Sequence, residues 1–200
     1  GAQGMTNPDT SDTLRDLYLA EQEAVKSKIG DTPLSEIESL SSWRRAISAF
    51  GVSPTKYRSA AEALLRRLTK KGDIPGINTL VDIGNLVSIR YGMPVAIFDT
   101  QQIDGAITVH YSDGTEKYIE LGNDEVIYPE VGEVIFSDEK QMVIARRWCW
   151  RQSASSAANP NTTNAVITVE AHHDNAPEDI QNAVNDLLEL LNIYAGGTFE

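Results

Sequence analysis

The sequence predicts an α+β fold, with a mainly antiparallel sheet flanked by helices. Three observations predict it. Apolar residues recur at three- and four-residue spacing through roughly the first ninety residues and again near the C-terminus, the period of a helix with one buried face. Between residues 107 and 171 the apolar period falls to two, the period of a strand. The turn sequence Ser112-Asp-Gly-Thr separates two such alternating segments. Helices first, strands in the middle and one closing helix is the order of a segregated α+β domain, not of a parallel α/β sheet.

Residues 1–10 are turn-rich and read as loose chain or the remnant of an earlier strand. Residues 13–29 read as a helix with Leu14, Leu17, Tyr18, Val25 and Ile29 on its apolar side. Thr32-Pro33 caps and starts a second helix that ends near Phe50-Gly51. Ser53-Pro54 starts a third, whose core face carries Tyr57, Ala60, Ala61, Leu64, Leu65 and Leu68 and which Gly72 ends. A fourth helix runs through residues 77–91 until Gly92 and Pro94 stop it, and residues 95–98 read as a strand. Residues 107–111 and 116–120 flank the first turn as a hairpin, and residues 132–137 and 141–150 flank a second. Residues 165–171 form another strand, and Pro177 opens an amphipathic helix with Ile180, Val184, Leu187, Leu188 and Leu191. Two hundred residues can bury a sizeable core. The expected division is a helical region over 1–40 and a second unit over 41–195, packed as one compact body.

Composition bounds the function. Apolar and charged fractions of 41% and 23% are those of a soluble globular protein, and no run of about eighteen apolar residues could cross a bilayer. No secretory leader is visible, and Asn161-Thr-Thr is therefore read as a chance glycosylation match. The single cysteine, Cys149, precludes an internal disulfide and fits a reducing, cytoplasmic setting. The net charge of -12 argues against indiscriminate binding of polyanions. Its distribution argues otherwise for one segment. Between residues 41 and 71, Arg44, Arg45, Lys56, Arg58, Arg66, Arg67, Lys70 and Lys71 are opposed by Glu62 alone, a local +7 and the one candidate footprint for nucleic acid. From Glu170 to the end there are seven carboxylates and no Lys or Arg, which reads as a solvated acidic face.

The helix of residues 77–91 is unusual in carrying Asn78, Asp82 and Asn85 at offsets of four and three, a polar stripe on one face of an otherwise apolar helix. Such a stripe must find partners inside the protein or face a cavity. Bracing of nearby loops is the reading that residue types alone favour. The order Val81, Asp82, Asn85, Gly92, Pro94, Phe98, Asp99 resembles the signature of the third and fourth (B-three/B-four) domains of the phenylalanyl-tRNA synthetase beta chain. Residues 132–138, 143–145, Thr162 or Thr163, and 166–171 follow in the order that module would have, over roughly residues 41–195. Trp43-Arg44 and the run Arg146-Arg-Trp-Cys-Trp-Arg151 make the chain look more like free-standing relatives of the module than a piece of a full synthetase.

The resemblance implies a tRNA-binding domain that edits mischarged tRNA. In the family, a glutamate at the end of the last strand helps recognise the hydroxyl of a mischarged tyrosine, a role that falls on Glu170. A carboxylate suits that task, because an analogue without the hydroxyl leaves it unpaired. The chain also departs from the family. A Gly-rich turn is replaced by residues 146–151, and the position held by histidine in many bacterial synthetases is Ala96. Tyrosine editing therefore does not transfer by resemblance.

Read as one strand, residues 146–151 place Arg147, Cys149 and Arg151 on one face and Arg146, Trp148 and Trp150 on the other. Trp with Arg can stack a base and grip a phosphate, and the competing reading has the tryptophans as core. The candidate substrate-binding residues are Glu170, Asn78, Asp82, Asn85, Arg147, Trp148 and Arg151, the three of the helix stripe being expected to converge with Glu170 on one cavity. His172 and Asp174 would share the Glu170 face if that strand continued, whereas a strand emerging into solvent leaves His173 and Asp174 exposed. No Gly-rich phosphate loop, Ser-His-Asp order or Cys-x-x-Cys pair is present, and neither a metal nor a cofactor is expected. Three classes stay open: hydrolysis of mischarged aminoacyl-tRNA in trans, a non-catalytic RNA- or small-ligand-binding module, and a protein-interaction domain using the basic helix. Synthetase catalytic motifs are missing, so aminoacylation by this chain alone is not expected.

Overall fold

A computed structural model describes all residues, 1–200. The elements run β1 (Ala2–Gln3), α1 (Asp12–Ile29), α2 (Glu38–Ala49), α3 (Ala60–Lys71), α4 (Thr79–Tyr91), β2 (Val95–Asp99), β3 (Thr108–Tyr111), β4 (Tyr118–Ile119), β5 (Val126–Ile127), β6 (Val134–Ser137), β7 (Val143–Arg146), β8 (Arg151–Gln152), β9 (Ala165–Val169), α5 (Ala176–Tyr194) and β10 (Thr198–Phe199). One antiparallel sheet has the order β10-β1-β9-β2, a second has the order β3-β6-β7-β8, and β4-β5 form a short ribbon. The fold is α+β, as the sequence predicts. No helix is long and apolar enough to cross a membrane.

Local chemistry sets the helix ends. Ser11, Ser59 and Asn78 accept the N–H of Leu14, Glu62 and Val81, satisfying donors that the first helical turn leaves free. Gly92 closes α4 with φ 64°, the left-handed cap that lets the chain turn into β2. Gly84 lets α4 lie on the sheet, because a Cβ there would stand 3.2 Å from Ile97 Cδ1. The main core joins α1, α3, α4, α5 and the first sheet, with Leu14, Leu65, Leu80, Leu86, Val87 and Leu191 fully or almost fully buried. A smaller cluster of Phe98, Phe136, Ile144 and Ala145 joins the two sheets.

Several element expectations need correction. The N-terminal ten residues are ordered: Ala2 pairs with Phe199 and Ala165, and Asn7 accepts the Leu80 N–H at 2.9 Å. Thr32-Pro33 leads into a single 3₁₀ turn, Leu34–Glu36, before α2. Ser53-Pro54 forms a turn whose Ser53 carbonyl accepts from Lys56 and Tyr57, and Ser59 is the true cap of α3. The segments around Ser112 are not partners in a hairpin. β3 pairs with β6 and β4 with β5, because the Glu116 carboxylate accepts Ser112 Oγ, Asp113 N and Gly114 N and ties the turn into a compact knot.

The α4 stripe is where fold and chemistry meet first. Asp82 is inaccessible to solvent and accepts Thr10 Oγ1 at 2.5 Å and Ile77 N at 2.9 Å. Burial raises its pKa above the ordinary carboxylate range, with those two hydrogen bonds opposing the shift. A raised native pKa means that the folded state holds the proton more readily, so Asp82 contributes a loss of stability as pH rises from the unfolded value through the native one. Asp82→Ala should cost roughly 2–4 kcal/mol in denaturant melts through the two orphaned donors. Asp82→Asn should cost less and remove that decline, so that stability rises more steeply with pH across the acid limb, and an unchanged acid limb would contradict the assignment.

Candidate functional site

β7 stops at Arg146 because the next two residues leave the strand. Arg147 has φ 48° and Trp148 φ 62°, left-handed conformations that non-glycine residues adopt only when surroundings enforce them. The enforcement comes from Glu133, whose side chain is wholly buried. It accepts Arg146 Nε at 2.8 Å and Nη2 at 2.7 Å, and Arg147 Nη2 stands 3.4 Å away. Arg147 also lies 3.8 Å over the Tyr57 ring, and Trp148 N donates to Val134 O at 3.0 Å. Pairing resumes at Arg151 in β8. The two-faced strand expected over residues 146–151 is therefore a turn, and its side chains diverge in place of alternating.

The turn delivers Trp148 to Glu170. The indole Nε1 donates to Glu170 Oε2 at 2.5 Å, and Thr168 Oγ1 lies 3.4 Å from Oε1. Glu170 continues the β9 ladder by one bond, its N–H donating to Pro94 O at 3.2 Å. Trp148 stacks on Phe50 with ring centroids 5.7 Å apart and planes 6° apart, and it meets Phe136 edge-on at 6.1 Å. Beside it lies a cavity of about 80 Å³ lined by apolar Pro94, Val95, Ala96, Phe98, Phe136 and Ala145, with Glu170, Thr168, Arg151 and Gln152 supplying its polar atoms. Glu170 has hydrogen-bond donors there but no Lys, Arg or His ion-pair partner.

Cys149 is half-buried, and burial pushes its thiol well above the ordinary range, with the charge of Glu170 adding to the shift. It is a packing residue in this state, not a nucleophile.

The basic segment forms a continuous surface. Lys56, Arg58, Arg66, Arg67, Lys70 and Lys71 line a shallow groove along α3 that ends on Trp150 and Arg151. Those last two residues also line the Glu170 cavity, so groove and cavity share a rim. Not every cation is free. Arg44 Nη1 donates to Glu62 Oε1 at 2.7 Å and braces α2 against α3, and Arg58, just before α3, lies 3.5 Å from the same oxygen. Arg67 is loosely paired with Asp73 at 3.7 Å, Arg151 pairs with Glu120, and Arg45, exposed on α2, contacts Ser41. Trp150 packs edge-on against Tyr57 at 4.9 Å and has the Arg146 and Arg151 guanidiniums over its ring.

Of the sequence-predicted residues, the fold brings Glu170, Trp148 and Arg151 to one cavity. It does not bring Asn78, Asp82 or Asn85 there. Asn78 caps α4 and donates to Ala158 O, Asp82 holds Thr10, and Asn85, half-buried, is on the side of α4 that faces Tyr18 of α1. The stripe thus meets the N-terminal segment, because α4 presents its opposite side, at Gly84, to the sheet. Arg147 points away to Glu130 and Glu133. His173 is buried, not exposed, with Nε2 2.8 Å from Asp179, while exposed His172 packs edge-on against Trp43 at 4.3 Å.

Sequence reasoning missed Glu133, Phe50 and Thr168. Thr168 was findable, since it lies two residues from Glu170 on the same strand face. Glu133 had no local signal, because its partner Arg146 is thirteen residues away on the neighbouring strand. Glu133→Ala should leave Arg146 buried without a carboxylate, and Arg147 with Glu130 alone, and cost about 3–5 kcal/mol in thermal or denaturant melts. Native Cys149 should react with a thiol reagent at pH 8 only after denaturation, and fast labelling of the folded protein would contradict its burial.

Residues 42–196 match the B3/4 domain family. The chain is 29% identical over 152 residues to the phenylalanine–tRNA ligase beta subunit of Photorhabdus laumondii, which covers 68% of this chain and 19% of that subunit. It is 38% identical over 80 residues to the Aquifex aeolicus beta subunit, covering 40% of this chain and 10% of the subunit. Among solved structures, an N-terminal fragment of the Pyrococcus horikoshii phenylalanyl-tRNA synthetase beta subunit overlays 60% of this chain and 40% of its own, with a TM-score of 0.48 and 17% identity. The chain spans about a fifth or less of the length of these curated subunits. With the match extending over most of its length, the chain belongs to the B3/4 domain family.

Proposed function

We propose that this protein binds the acceptor end of an aminoacylated tRNA and hydrolyses an incorrectly attached amino acid in trans. The observation that carries the reading is the shared rim: Trp150 and Arg151 close the cationic groove of α3 and open the Glu170 cavity. A phosphate backbone laid along Arg66, Lys70 and Lys71 would bring a terminal nucleotide to a Trp–Arg pair suited to stack a base. The esterified amino acid would then lie over the cavity. The relationship to phenylalanine–tRNA ligase beta subunits supports the same partner class.

The chemistry asked of the protein is modest. An aminoacyl ester is already activated, so holding it in place, polarising it and admitting water can suffice. Arg151, Gln152, Thr168 and Glu170 are the polar groups available for positioning. The nucleophile would be water, oriented by those groups and by the terminal hydroxyl of the tRNA.

One observation favours a second reading, a binding module without hydrolysis. The cavity lining has no histidine, its thiol is neutral, and its carboxylate is already engaged by Trp148. A panel of mischarged tRNAs separates the two. Release of free amino acid above the uncatalysed rate supports the hydrolase, and retained binding with no release supports the module.

Affinity for tRNA should fall steeply with salt through counterion release. Arg66→Glu with Arg67→Glu should weaken filter binding and reduce the slope of log affinity against log salt by about 1–2 units. Unchanged affinity in that double variant would remove the α3 face from the proposal.

A further inference from the structure

We infer that the Glu170 cavity accepts a small, positively charged acyl group, an aminoacyl moiety with a short aliphatic side chain and a free α-ammonium, and that Trp148 excludes aromatic ones. The inference rests on the reading of this cavity as the acyl site. Three features carry it, namely size, charge and the occupant already in place.

The cavity measures about 80 Å³. An apolar cavity of about 150 Å³ is what accommodates benzene. The space therefore suits a side chain of about one to three non-hydrogen atoms. Its apolar walls include Ala96, Ala145, Phe98 and Phe136, whose side chains offer an alkyl group contact and no polar partner.

The charge argument comes from Glu170. It receives two hydrogen bonds from neutral donors and no ion pair, although it lines an apolar space. The one Lys or Arg lining the cavity, Arg151, is paired with Glu120. A carboxylate in such surroundings is completed best by a ligand cation. An α-ammonium is the cation that every aminoacyl ester carries.

Trp148 supplies the selectivity. Its indole N–H already takes Glu170 Oε2, the oxygen that a substrate hydroxyl or indole would otherwise use. The ring is packed between Phe50, Phe136 and Trp43, and its backbone is fixed by the Glu133 clamp and the Val134 carbonyl. An aromatic side chain would have to displace a ring already held by Phe50, Phe136 and Trp43.

The test uses L-alaninamide, N-acetyl-L-alaninamide and L-tyrosinamide, titrated at millimolar concentration into the full chain and followed by amide chemical shifts. L-Alaninamide should shift the resonances of Ala96, Thr168 and Glu170. The uncharged acetyl compound and L-tyrosinamide should not. Glu170→Gln should weaken L-alaninamide at least tenfold, and Trp148→Ala should admit L-tyrosinamide at least tenfold more tightly than the parent. Should Trp148→Ala not fold, Ala96→Val narrows the cavity from the opposite wall and should abolish L-alaninamide binding. L-Tyrosinamide binding the parent as tightly as L-alaninamide, Glu170→Gln having no effect, or no amide binding at all would each overturn the inference. Salt-dependent tRNA binding is measured alongside. Loss of tRNA binding with L-alaninamide binding intact sinks the proposed function alone, whereas hydrolysis confined to aromatic esters sinks the small-ligand inference alone.

Discussion

The buried carboxylate of Glu133 is the constraint on which the site depends. Two adjacent arginines, Arg146 and Arg147, converge on it from a turn that places both Arg147 and Trp148 in left-handed backbone. Left to local preference, each of those two residues would cost on the order of 1–3 kcal/mol in that conformation. A bidentate guanidinium–carboxylate pair inside the protein is among the strongest geometric locks a side chain can form. Because the pair is desolvated, its value lies in fixing one arrangement more than in net stability. The arrangement it fixes sends Trp148 inward to Glu170 and Trp150 outward to Tyr57. A simple strand continuation could not do both, since Trp148 and Trp150 would then share a face.

The same economy appears on α4. A helix with a polar stripe can serve a ligand or the chain itself, and here its polar groups serve the chain, Asp82 and Asn85 meeting the N-terminal segment. Asp82 holds Thr10 and the Ile77 N–H, Asn78 caps the helix, and Asn7 completes the first turn by accepting from Leu80. The stripe thus ties residues 1–30 to the core, which agrees with α1 sharing the main hydrophobic cluster with α3, α4 and α5. The carboxylate that meets the cavity, half-buried Glu170, sits just past the end of a different element, β9.

What the sequence made legible follows from range. Helix periods, glycine stops and the strand at residues 165–169 depend on neighbours within a turn or a few residues, and they read correctly. The Trp–Arg run was legible as a concentration of unusual side chains, but not as a turn. Arg, Trp and Cys carry no turn signal, and the force that bends them comes from Glu133 across the sheet. The pairing of β3 with β6 was invisible for a related reason. The turn chemistry at Ser112–Gly114 is real, but Glu116 uses it to bind its own loop and leaves the strand edge to another partner. The direction of the α4 stripe turned on Gly84, a residue that periodicity treats as blank and that geometry makes the contact point with β2.

Net charge is a poor guide to this surface for a physical reason. Several carboxylates are held in local contacts that leave the net charge unchanged but cancel at short range: Asp186 binds Arg90 and Tyr91, Asp179 binds His173, Glu62 holds Arg44, and Glu133 holds Arg146. Such pairs contribute little field at a distance, because each carboxylate sits beside its partner. The cations of α3 differ. Arg66, Lys70 and Lys71 project from one exposed helix face with no ion-pair partner within the chain, and Arg67 has only a long contact to Asp73. Screening in physiological salt limits fields to about 8 Å, so a polyanion reaching the groove responds to those four side chains and not to the total of -12. The local arrangement, and not the sum, decides what approaches, and the groove it makes leads to the one rim where Trp150 and Arg151 open onto Glu170.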